Sequence, residues 1–213
     1  MKTFLGKFVF FLGRLTYYIY PYSDNIQGSI FSRLKRKIYI GWISNLFDSF
    51  GNNSDVTFPV TIIGGKYISI GNFTCIGKNG TITAWDKHQD DIFNPRIVIG
   101  NNVNIGEFCH ITAINKIIIG NGVLTGRWVT ITDNSHGKTD KDSFGLPPIK
   151  RNLYSAGAVI IEDNVWIGDK VTILPNVHIG KNVIIGANAV VTKDVPENAV
   201  VGGIPAKVVK IAN

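Results

Sequence analysis

The sequence predicts a mainly β fold, a parallel solenoid built from six-residue units, and three observations predict it. Aliphatic residues recur at every sixth position, at Ile161, Ile167, Ile173, Ile179, Ile185 and Val191. Four positions after each comes a second small apolar residue, at Val165, Val171, Val177, Val183, Ala189 and Val195. Between them stand Gly168, Gly180 and Gly186, and the short polar residues Asn164, Asn176, Asn182, Asn188 and Asp194. Glycine, Asn and Asp tolerate positive φ, which a tight corner can require. The apolar spacings alternate strictly between four and two, without the mixed threes and fours that mark an amphipathic helix.

The elements follow in chain order. Residues 1–58 form a basic, aromatic-rich segment with helical character. Within residues 1–42, Lys2, Lys7, Arg14, Arg33, Lys35, Arg36 and Lys37 stand against Asp24 alone, so this stretch holds +6 of the net +7. Phe4, Phe8, Phe10, Phe11, Leu12, Leu15, Tyr17, Tyr18 and Tyr20 are too many large apolar side chains for a free tail. They predict a cap on the open end of the solenoid, together with peripheral contact to an anionic membrane face. Lys7 and Arg14 interrupt the apolar run, which makes it a poor membrane span, and no small-residue cleavage site follows. The basic residues form no long uninterrupted tract, which argues against nucleic acid as a partner.

Residues 59–200 form the solenoid. Ile70, Ile76 and Ile82 keep the phase, as do Ile99, Ile105 and Ile111, and then Ile119, Thr125 and Ile131. Three sixes close one triangular coil of eighteen residues, with the aliphatic side chains pointing inward and stacking coil on coil. The phase breaks at 86–96, slips at Asn115–Lys116, and breaks longest from about His136 to Gly157. Insertions in a solenoid emerge as surface loops, often at a functional face. Residues 201–213 form a C-terminal tail. Cys75 and Cys109 lie inside repeats, where small apolar side chains are wanted, so they read as reduced thiols of a cytoplasmic protein.

The stretch NVWIGDKVTILPNVHIGKNVIIGANAVVTKD followed by GIPAKVVK resembles the hexapeptide-repeat acyltransferases, in the galactoside, maltose and nodulation-factor O-acetyltransferase group. HITAINKIIIGNGVLTGRWVTITDNSHG is more similar still to bacterial polysaccharide O-acetyltransferases acting on O-antigen or capsule. The resemblance covers residues 60–211. It implies a left-handed parallel β-helix with a protruding loop after His136, a homotrimer with active sites between neighbouring chains, and acetyl-coenzyme A as co-substrate. It implies acetyl transfer to a sugar hydroxyl and no metal.

It also implies roles for particular residues. A sugar hydroxyl must lose its proton as it attacks, and imidazoles as a class titrate near pH ~6.5, which suits that task. His136, in ITDNSHG, matches the catalytic histidine of the family. The backbone N–H of Asp169, one residue after WIG, matches the donor that holds the developing oxyanion. His110, Asp133 and Asn134 are acceptor-binding candidates. Trp166, Asp169, Ala187, Thr192 and Lys193 match coenzyme contacts, and Lys207 and Lys210 match basic residues that meet its phosphates. His178 is expected to point outward, and His88 to lie in a loop near the mouth of the cleft.

Other functions compete. N-acetyl transfer to a nucleotide-linked amino sugar is the nearest alternative. A noncatalytic β-helix scaffold is more remote, because regular uninterrupted faces would serve it better than the His136 loop does. A zinc hydratase on the same solenoid would need three converging histidines, and the close histidine pair is absent. Serine acetyltransferases would carry a larger helical N-terminal domain than about sixty residues allow.

Overall fold

The structure, a computed structural model, describes residues 30–212; the side chains of residues 30–33 and of Asp142 are not described. The aromatic run from Phe4 to Tyr20 therefore lies outside the described residues, and so does its predicted capping and membrane role. The described residues up to Ser44 and those from Asn45 onward belong to separate units. In the first, an α-helix spans Ile30–Ile43 and exposes Leu34, Ile38 and Trp42. Among the described residues no helix is long and apolar enough to cross a membrane.

The second unit is a left-handed parallel β-helix with three faces. The first face stacks Ser49–Phe50, Ile68–Ile70, Arg96–Ile99, Lys116–Ile119, Val159–Ile161 and His178–Ile179. The second stacks Asp55–Val56, Cys75–Ile76, Asn104–Ile105, Leu124–Thr125, Trp166–Ile167, Ile184–Ile185 and Ala199–Gly202, on which Lys207–Ile211 folds back antiparallel. The third stacks Val60–Ile63, Gly80–Ala84, His110–Ala113, Thr130–Thr132, Thr172–Ile173 and Val190–Val191.

The six-residue period becomes three inward columns. Ile70, Ile99, Ile119, Ile161 and Ile179 lie in register down the first face, and all are buried. Ile82, Ile111, Ile131, Ile173 and Val191 do the same on the third. Within a column each isoleucine such as Ile111 or Ile131 is enclosed by its equivalents above and below, so truncating one to alanine is expected to cost ~2–5 kcal/mol. Thr125 interrupts the second column as a buried polar residue; its hydroxyl accepts the Gly106 N–H at 2.8 Å and donates to the Gly126 carbonyl at 3.1 Å. Corner residues adopt positive φ as expected at Asn164, Asn176, Asn182 and Asn188 (58°, 62°, 59° and 62°). Asp194 does not; its carboxylate instead accepts the His178 N–H at 2.8 Å.

The solenoid starts earlier than residue 59. Ser49–Phe50 already pairs with Ser69–Ile70, and Ser54 and Val56 point into the core. Phe50 and Ser54 fill slots held elsewhere by aliphatic residues, which hides this first coil from the period. The tail from 201 likewise continues the second face before turning back. Cys109 occupies the small apolar slot beneath the third face, and burial pushes its thiol pKa up. Cys75 instead is a half-buried second-face residue, the inward slot beside it being taken by Thr74. Neither cysteine forms a disulfide among the described residues.

Registers give the size of each insertion. Ile161 and Ile179 pair across 18 residues, one bare coil. Ile111 and Ile131 pair across 20, Ile82 and Ile111 across 29, and Ile131 and Ile173 across 42. The excess residues all leave the helix at one corner, where the third face hands over to the first. That corner collects the 85–95 hairpin, the Ile114–Asn115 step and the 133–158 loop.

Candidate active site

His136 sits at the neck of the long loop. Ser135–His136 pairs antiparallel with Leu153–Tyr154, so the main chain holds the residue while its side chain stays exposed. The loop beyond braces itself. Asp140 caps the short helix Lys141–Phe144 by accepting the Ser143 N–H at 2.8 Å, and the Ser143 side chain together with that N–H lowers its carboxyl pKa. Arg151 Nε donates to the Leu146 carbonyl at 2.9 Å, and Lys138 Nζ lies 5.1 Å from the Tyr154 ring centre.

Asp133 has a different task from the one its place in ITDNSHG implies. It is 0% exposed, and its two carboxylate oxygens accept the N–H groups of Ile114 and Asn115, each at 2.9 Å. It therefore pins the corner of the coil below and is withheld from an acceptor. Asn134 donates from Nδ2 to the Thr112 carbonyl at 3.2 Å and to Asp133 Oδ1 at 3.1 Å, supporting the same corner. His110 is exposed on the third face, in register with Thr130, and is not brought against His136. His178 is exposed as expected and meets Glu162 at 2.9 Å. His88 is brought to His136: the ring centroids are 5.9 Å apart and the rings stand edge to face at 74°. Nothing in the sequence period signals that contact.

The remaining candidates gather elsewhere. Asp169 and Ala187 occupy one column at the corner between the second and third faces, in line with Arg127. There the Arg127 N–H donates to Asp169 Oδ1 at 2.8 Å. The next residue in the column is Ala187, which has no side-chain oxygen. The Asp169 N–H accordingly has no acceptor among the described residues. The aspartate side chain is thus spent on the coil below, while its backbone donor stays open. Trp166 is 53% exposed on the second face between Leu124 and Ile184. Lys207 and Lys210 are exposed on the edge strand that ends that face's sheet, while Thr192 and Lys193 are exposed at the opposite end of the third face, beyond Val190–Val191.

The two halves are kept apart within one chain. Asp169 precedes its third-face strand, Thr172–Ile173, and His136 follows its own, Thr130–Thr132. At ~3.3 Å per residue, a face separates those corners by roughly 15 Å. No single reacting carbonyl can touch both. Among the described residues no cluster of His, Cys, Asp or Glu could hold a metal ion.

Residues 158–193 match the family described as bacterial transferase hexapeptide (six repeats). That segment of the chain is similar to this family. Among similar proteins is WbbJ of Escherichia coli (strain K12), named as a lipopolysaccharide biosynthesis O-acetyl transferase, 40% identical over 121 residues, covering 55% of this chain and 61% of WbbJ. A 2,3,4,5-tetrahydropyridine-2,6-dicarboxylate N-acetyltransferase of Kosmotoga olearia is 68% identical over 56 residues, 26% of this chain and 24% of the relative. The chain thus spans less than two thirds of the length of these curated relatives. Among solved structures, AntD, an N-acyltransferase from Bacillus cereus, superposes with a TM-score of 0.66 at 20% identity, covering 83% of this chain and 89% of AntD. A hexapeptide-repeat-containing acetyltransferase from Vibrio cholerae, complexed with acetyl coenzyme A, superposes with a TM-score of 0.56 at 27% identity, covering 83% of this chain and 78% of the other.

Proposed function

We propose that this protein transfers an acetyl group from acetyl-coenzyme A to a sugar hydroxyl of a bacterial surface polysaccharide, as a homotrimer whose sites lie between chains. The observation that carries this reading is the open Asp169 N–H at one end of the third face and the exposed His136 at the other. Closed three-fold association brings one chain's corner against the next chain's opposite corner, which a site made of both requires. The likeness to WbbJ favours a hydroxyl acceptor, and the Vibrio cholerae complex favours acetyl-coenzyme A as donor.

In this reading His136 takes the proton of the acceptor hydroxyl as its oxygen attacks the thioester carbon. The Asp169 N–H of the adjoining chain donates to the carbonyl oxygen as negative charge builds there. His136 then returns the proton to the departing thiol sulfur. Trp166 and Ala187 flank the donor's arm, with Thr192 and Lys193 near its far end. Lys207 and Lys210 meet its phosphates as point charges. Thiol release with hydroxyl sugars and with amino sugars tests the acceptor class. Transfer to hydroxyls is expected; transfer confined to amines would establish N-acetylation, the competing reading.

The lysine assignment has its own test. Lys207→Ala combined with Lys210→Ala should weaken acetyl-coenzyme A about tenfold or more, as loss of charge-assisted contacts does. Acetyl-pantetheine, which lacks the nucleotide phosphates, should bind as before. Equal weakening of both donors by calorimetry would remove the lysines from the phosphate site.

A further inference from the structure

We propose that His88 is a positioning residue for His136, holding the imidazole of the base in its working orientation; this rests on the reading of His136 as base. The residue that ordinarily invites that role, Asp133, is committed to the Ile114 and Asn115 N–H groups. Among the described residues the His136 ring makes no hydrogen bond, and its ring contact is with His88. An exposed imidazole without a tether samples several rotamers. An edge-to-face neighbour restricts them.

The fold builds this contact from three pieces. The 85–95 insertion forms a tight hairpin in which Lys87–His88 pairs with Asp91–Ile92 and turns through Gln89 at φ 53°. Its base is anchored at Asp86, whose carboxylate accepts the Tyr67 hydroxyl at 3.0 Å and meets Lys66 Nζ at 3.1 Å. The Asp86 carbonyl accepts the Phe93 N–H at 2.8 Å, closing the hairpin. The second piece is the corner of the intervening coil, only Ile114–Asn115, which Asp133 holds close to the helix. No loop from that coil stands between the hairpin and the 133–158 loop.

The third piece joins the two insertions. Gln89 Nε2 donates to the Ile149 carbonyl at 3.1 Å and lies 3.4 Å from His88 Nε2. A path of contacts thus runs from Ile149 through Gln89 and His88 to His136. It ties the base to the 85–95 insertion. Precision here has a large effect on rate, because a displacement of about 1 Å in a reacting group can cost about a hundredfold.

His88→Ala and His88→Phe in the full-length chain test the proposal. Phenylalanine keeps a ring edge and loses the nitrogens. The alanine variant should lose roughly ten- to a hundredfold in kcat with KM for acetyl-coenzyme A unchanged, while the phenylalanine variant keeps most of kcat. Ring-proton NMR signals of His136 should shift in the alanine variant, since the neighbouring ring current is gone. Wild-type kcat in the alanine variant, equal loss in both variants, or unmoved His136 signals would each overturn the positioning role. His136→Ala measured alongside reports on the base itself, so failure of that assignment is seen separately from failure of the ring contact.

Discussion

Replacing His136 by alanine is expected to lower kcat by about two to four orders of magnitude, the usual cost of losing a general base. The affinity for acetyl-coenzyme A should stay close to that of the unaltered protein. The fold supports a clean outcome. His136 is held through the main-chain pairing of Ser135–His136 with Leu153–Tyr154, and its exposed side chain fills no part of the core. Alanine keeps both main-chain partners, so the neck of the loop should survive. Turnover near normal, with binding intact, would move the base elsewhere. His110, exposed on the third face, would then be the first residue to examine.

Replacing Ala187 by aspartate is expected to lower turnover by about a hundred- to a thousandfold, the loss seen when one oxyanion donor is taken away. Asp169 already caps the Arg127 N–H of the coil below at 2.8 Å. An aspartate at 187 stands one coil further along the same column and can cap the Asp169 N–H in the same way. The donor is then occupied before any carbonyl arrives. The substitution adds a hydrogen bond and removes none, so thermal stability should hold or rise slightly. A stable variant with undiminished kcat would show that the Asp169 N–H is not the oxyanion donor. A steep loss of stability would mean that the column cannot take the side chain, and Ala187→Asn then serves as the second variant.

Much of this architecture is legible in the sequence because each coil repeats one demand. An inward slot wants an aliphatic side chain, and a left-handed corner wants Asn or Gly, so the spacing of Ile99, Ile105 and Ile111 is enough to announce a coil. The break after Ile82 and the break after Ile131 are legible for the same reason, as lost phase. What stays hidden is what the period does not constrain. Phe50 and Ser54 occupy inner slots with atypical residues, so the first coil passes for part of the N-terminal segment. Asp133 looks like a partner for the base because it lies three residues from His136. Only its burial and its two backbone donors reveal that it secures a corner. The approach of His88 to His136 spans 48 residues and depends on two insertions meeting over a tight coil, which no local pattern encodes.

In the proposed trimer one site takes His136 from one chain and the Asp169 N–H from its neighbour. Hybrid trimers test it most directly. The His136→Ala and Ala187→Asp chains, carrying different affinity tags, are co-expressed, and trimers containing both are purified. Each parent should be nearly inactive. In a mixed ring, a chain with an intact His136 adjoins a chain with an open Asp169 N–H at one cleft. Such trimers should therefore recover about one third of the unaltered activity. Confirmed hybrids that stay as inactive as their parents would contradict the shared site and return both groups to a single chain.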